Sequence, residues 1–182
     1  MRTIVLLLPL LASCGGSILM RPAPEATEPP GTDEAKVVVY RDSFRNATKP
    51  YAFFDDEELL GFSEVGTWFE VRCRPGAHFF FLHGVSSNGV RATLDAGKTY
   101  FLRVDSVPKL FRLQLRLTPI LPGMKEFDQI DDILKGLERR EPVDEILAEY
   151  EEERAEELEK ALARLKTDGF DECETLSGEA GR

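Results

Sequence analysis

Three cysteines, two histidines and one tryptophan stand out as residues able to do chemistry, together with the acidic run Asp55-Asp56-Glu57-Glu58. Cys14 follows Met1-Arg2, an apolar run of eight residues at 4–11, and the small residues Ala12 and Ser13. That is the layout of a secretory signal peptide. A bilayer-spanning helix needs ~20 apolar residues, so the run cannot be a permanent anchor. His78 and His83 lie on one apolar stretch at an odd spacing, which on a regular strand sends them to opposite faces. No shared metal or catalytic role is expected of them. The acidic run resembles the paired carboxylates of glycoside hydrolysis only superficially, because it sits at a strand end before Gly61, where a solvated turn is expected. No Ser-centred elbow, phosphate loop or zinc-helix motif is present, so no catalytic residue, metal ligand or cofactor is expected. Cys73 and Cys173 would share an oxidising compartment after export. Cys73 alternates inward with Val71 whereas Cys173 lies in a polar tail, and both thiols are expected to be free. Trp68 alternates with Glu70, Arg72 and Arg74; exposed, it would be a ligand contact able to stack on a sugar ring. Burial beneath later helices is the expected alternative.

The spacing Leu11-Ala12-Ser13-Cys14 resembles the lipobox of bacterial lipoproteins. The resemblance implies that the Cys14 thiol is alkylated with diacylglycerol, the chain is cut before it, and the new amine is acylated. Several acyl chains on one residue would hold firmly, at about 0.8 kcal/mol per buried methylene. The alternative is an ordinary signal cleaved near residues 12–14, releasing a soluble protein. In such lipoproteins an aspartate after the cysteine retains the protein in the inner membrane; Gly15 there implies the outer membrane, facing the periplasm.

The elements that must position these residues fall into five segments: a signal (1–13), a lipidated tether (14–35), a β-domain (36–120), a helical extension (124–168) and a tail (169–182). The tether is mostly Gly, Pro, Ala, Glu, Thr and Ser, a composition that cannot bury enough surface to fold. Extended, it would hold the next domain up to some 60 to 70 Å from the lipid. Strand signals fall at 37–40, 51–54, 68–74, 78–82, 90–94, 99–104 and 111–117, with Pro75-Gly76 as a break and Asp95-Ala96-Gly97-Lys98 as a tight hairpin turn. About seven short strands predict an antiparallel β-sandwich. After Pro122-Gly123 the period lengthens to ~3.6 and predicts two helices, over 126–139 and 143–166, with a frayed tail beyond. The first has a compact apolar face and is expected to dock. The second is broken at Arg154 and densely acidic, and is expected to face a partner.

Charge is unevenly spread: residues 1–124 carry 14 Lys/Arg against 13 Asp/Glu, and residues 125–182 carry 9 against 20. An acidic extension repels phosphate backbones, which argues against nucleic acid as a partner.

Gly61, Trp68-Phe69, Pro75-Gly76-Ala77-His78 and the run Leu94-Asp95-Ala96-Gly97-Lys98-Thr99-Tyr100-Phe101 resemble the bacterial envelope family known as domain of unknown function 2846. Members are commonly lipoproteins, and no activity comes with the resemblance. Arg74-Pro75-Gly76-Ala77 is also similar to the Pro-Glu-Gly-Ala turn of small carbohydrate-associated β-domains, but lacks its glutamate. The expected function is a non-enzymatic envelope lipoprotein, anchored through Cys14 and binding or structural in role, with an envelope protein as partner for the acidic helix. The alternatives are a glycan-binding module using Trp68 and an envelope glycan hydrolase.

Overall fold

The β-branched run at 37–39 forms the middle of a strand buried on both faces, and the architecture follows from what covers it. The computed structural model describes residues 19–24, 27–42, 49–83, 89–109, 112–168 and 173–182. Cys14 and the signal segment lie outside the described residues. The strands are β1 (Met20–Pro22), β2 (Ala35–Arg41), β3 (Tyr51–Asp55), β4 (Glu58–Ser63), β5 (Thr67–Cys73), β6 (Gly76–His83), β7 (Gly89–Leu94), β8 (Thr99–Lys109), β9 (Arg112–Pro119), β10 (Glu138–Pro142) and β11 (Glu174–Leu176). The helices are α1 (Lys125–Asp128), α2 (Ile130–Lys135) and α3 (Asp144–Asp168).

The fold is mainly β, as expected, but its eleven described strands form two mixed sheets rather than one antiparallel set of seven. One sheet runs β1-β10-β5-β2-β8-β9 and the other β11-β7-β6-β3-β4. Three pairings are parallel: β2 with β8, β5 with β10, and β7 with β11. A parallel neighbour needs a long crossover. For β2 and β8 that crossover is everything from β3 to β7.

The two sheets meet through aromatic rings. Phe53 stacks on Phe80 at 5.4 Å and meets Phe69 of the other sheet edge-on at 5.8 Å. Gly61 lies opposite Phe53, and a Cβ there would stand 3.1 Å from the Phe69 ring, so a glycine lets the sheets close. The turn at 95–98 is a correction. It joins β7 to β8 across sheets instead of closing a hairpin, because Gly97, at φ +74°, donates its N–H to Glu34 O while Lys36 donates to Lys98 O. Its backbone partners are on β2 and the approach to it.

Part of each sheet's outer face is covered. Val38, Tyr40, Trp68, Phe101 and Ile120 lie beneath Ile130, with Phe127, Ile133, Leu134 and Leu137 packed around them. The single helix expected over 126–139 is two short ones, and 138–142 forms β10 beside β5. Docking of this segment is nonetheless observed. The second expected helix is present as α3, but it too is packed: Leu158 and Leu162 are buried in the main core. Tyr150 meets Phe62 edge-on at 5.0 Å, and Glu151 accepts the Leu59 N–H at 3.0 Å. Burial on both faces explains the near-continuous apolar runs of β3 and β6.

The tether and tail are corrected as well. Met20 is 1% exposed and β1 pairs with β10, so part of the segment expected to be free is a strand of the sheet. Residues 27–29 are held down by Lys36, whose Nζ donates to Thr27 Oγ1 and Glu28 O, and by Arg72, which donates to Glu28 O and Pro29 O. At the other end β11 pairs with β7 and Leu176 is buried. Thr99 and Arg182 exchange both backbone hydrogen bonds. Within the described part, 173–182 is ordered by these contacts rather than frayed.

Candidate functional site

Asp55 ends β3, Cys73 ends β5, and His78 lies near the start of β6, so three strands from both sheets deliver a carboxylate, a thiol and an imidazole to one rim of the sandwich-like core. Their donor atoms all lie within 4.8 Å of one another. The corner Arg74-Pro75-Gly76 makes this possible: the chain passes there from one sheet to the other, and Gly76 adopts φ +130°, a conformation suited to glycine. His78 Nδ1 lies 2.6 Å from Asp55 Oδ2, and Nε2 lies 2.7 Å from the Arg74 carbonyl. The Phe79 N–H donates to Asp55 Oδ1 at 3.2 Å. The Asp55 and His78 side chains are 15% and 13% exposed, which leaves a narrow path to solvent.

A thiol, an imidazole and a carboxylate invite comparison with a nucleophilic triad, but the geometry differs. In a triad the carboxylate orients one ring nitrogen and the other takes the nucleophile's proton. Here the second nitrogen points at a backbone carbonyl. The thiol is also far from activated: burial first, and then the carboxylates of Asp55 and Glu58, push Cys73 up to about 12. A reactive cysteine needs the opposite environment. What the arrangement offers is a set of nitrogen, oxygen and sulfur donors able to hold a cation.

The sequence-predicted residues fare differently. Trp68 is buried among the residues under α1 and α2, with the Arg139 guanidinium over its ring at 5.5 Å, so no ring face is open for stacking. This is the burial expected as the alternative. His78 and His83 do fall on opposite faces of β6. His83 turns toward α3, where Nδ1 lies 3.4 Å from Tyr150 Oη and burial holds its pKa below the ordinary histidine value. Of the acidic run, Asp56, Glu57 and Glu58 are exposed, as expected of a turn, and Asp55 alone turns inward. No disulfide joins Cys73 to Cys173. Sequence reasoning considered the histidines only as a pair and passed over Cys73-x4-His78 across the Pro-Gly corner.

Two further features bear on binding. Glu70 is partly buried between Arg139 at 3.2 Å, Arg72 at 3.5 Å and Lys36 at 3.7 Å, beside the segment that carries β1. A groove of about 650 Å³ lies between α3 and the β3–β4 turn, with Leu158 and Leu162 in its wall and Glu57, Glu151 and Glu159 around it. Among the described residues no helix is long and apolar enough to cross a membrane. Compared with family models, curated proteins and solved structures, the chain matches none, so any functional reading rests on this geometry and on the sequence.

Proposed function

We propose that the chain is a non-enzymatic lipoprotein of the bacterial envelope, lipidated on Cys14, whose β-domain is a binding or structural module held close to the membrane. The lipoprotein half of the reading rests on the spacing Leu11-Ala12-Ser13-Cys14, and the closeness to the membrane on strand β1. It begins at Met20, and six residues reach at most ~20 Å, so a lipidated Cys14 would leave the domain a short leash instead of the long tether its composition suggests. The edge formed by β1 and β10 would then face the lipid. The binding half of the reading is supported by α3 and its groove. Glu149, Glu152, Glu153 and Glu156 are exposed on the helix, and the groove joins carboxylates to an apolar wall. A ligand or partner segment fitting it carries positive charge on an apolar body. The buried Trp68 lends nothing to a sugar-stacking role.

Metabolic labelling with a fatty-acid analogue tests the anchor. The wild type takes up label and Cys14→Ser does not; a labelled Cys14→Ser protein, or an unlabelled wild type, ends the lipoprotein reading.

A further inference from the structure

We propose that Asp55, Cys73 and His78 form a binding site for a divalent first-row transition metal, zinc by its donor chemistry. The inference stands on the three side chains and does not depend on how the chain is anchored.

Zinc binds thiolate at ~2.3 Å and imidazole or carboxylate at ~2.0–2.2 Å, so tetrahedral donors sit roughly 3.3 to 3.6 Å apart. Here no pair of donor atoms is more than 4.8 Å apart, and Asp55 and His78 lie 2.6 Å from one another. Closing from 4.8 Å to the tetrahedral spacing asks for donor shifts of only about 1 to 1.5 Å. The surroundings already hold two of the three ligands, His78 and Asp55, as a metal requires. A ligating imidazole donates its other N–H to a carbonyl or carboxylate, which fixes its tautomer. With Nδ1 on the metal, the Nε2 contact to Arg74 O at 2.7 Å is that bond. The oxygen of Asp55 not facing His78 is held by the Phe79 N–H.

Charge and softness select the ion. A thiolate and a carboxylate beside a neutral imidazole sum to two negative charges, which a dication offsets at a mostly buried rim. Sulfur and nitrogen donors exclude magnesium and calcium, which take oxygen. Binding releases the Cys73 thiol proton and any proton on Nδ1 to solvent, so affinity falls as pH falls. Three protein donors leave a fourth position open, as in exchangeable sites rather than sealed structural ones.

The test uses the full chain as isolated, whatever its state at Cys14, stripped with a chelator and titrated with Co²⁺. One equivalent should produce a thiolate-to-cobalt charge-transfer band in the near ultraviolet, bleached by Zn²⁺. Cys73→Ser should lose the band and Cys173→Ser should keep it. Because Cys73 is packed in the core, His78→Gln at the rim serves as the second variant. It should remain cooperatively folded without metal and bind Co²⁺ at least about tenfold more weakly. A wild type with no band, a band that survives Cys73→Ser, or unchanged affinity in His78→Gln overturns the proposal.

Discussion

Met20 Sδ lies 3.4 Å from the backbone nitrogen of Phe62, so a residue only six positions beyond Cys14 is fixed against a strand of the opposite sheet. The contact joins the would-be tether to the core of the domain.

Met20→Ala removes a side chain that is 1% exposed and leaves a cavity beside Phe62. The expected cost is about 2–4 kcal/mol. Urea unfolding should show the midpoint falling with little change in slope. A variant as stable as the wild type would mean that β1 is not part of the cooperative fold.

Removal of residues 141–182 strips α3, β11 and the last two of the five residues of β10. The apolar pattern of α3 alone suggests that little would be lost. The burial of Leu158, Leu162 and Leu176 predicts otherwise, with Phe62 and its neighbours exposed. The truncated chain should melt well below the full chain, and Leu158→Ala with Leu162→Ala should reproduce much of the loss.

Glu70→Ala leaves Lys36, Arg72 and Arg139 facing one another without their shared carboxylate. Breaking a fully buried pair costs about 3–5 kcal/mol, and this partly buried cluster should lose about 1–3 kcal/mol, between that and an exposed pair. Burial already draws Lys36 below the ordinary lysine value, with Glu70 acting against it. Arg21→Ala is the control, since its pair with Glu141 is exposed and worth ~0–1 kcal/mol. Equal effects from the two substitutions would contradict the burial described for Glu70.

His83 is held below its ordinary value of 6.5, chiefly by burial; the Arg154 charge adds to this and Glu157 opposes it. The unfolded chain therefore binds more protons below that pH, and stability falls as pH drops from about 7 toward the folded-state value. His83→Gln should flatten this part of the profile. Hydrogen exchange should report the loss first in α3, near Tyr150.

Much of this was legible in the sequence, and what was not has a physical cause. Alternation at 68–74 located β5, and the periodicity after Gly123 located the segment that covers Trp68. Parallel pairing of β2 with β8 left no trace, because both strands are apolar whichever neighbour they take. Met20 was hidden since a three-residue strand has no period of its own. The hairpin expected at 95–98 failed because its turn chemistry is right but Glu34 and Lys36, distant in sequence, capture its backbone. Asp55, Cys73 and His78 come from three strands of two sheets, and only the corner at Pro75-Gly76 tied two of them together in advance.

The proposal that strand β1 keeps a Cys14-anchored domain close to the membrane is read directly by the chain's single tryptophan. Trp68 is on β5, two strand spacings or about 10 Å from β1. With a leash of at most ~20 Å it should sit within roughly 30 Å of the lipid attachment. Lipidated protein in vesicles carrying dansyl-labelled headgroups should therefore show clear energy transfer from Trp68. That transfer should be lost when a long Gly/Ser spacer is inserted between Gly16 and Ser17. Absence of transfer in the unmodified protein, or transfer that the spacer leaves unchanged, would contradict the account.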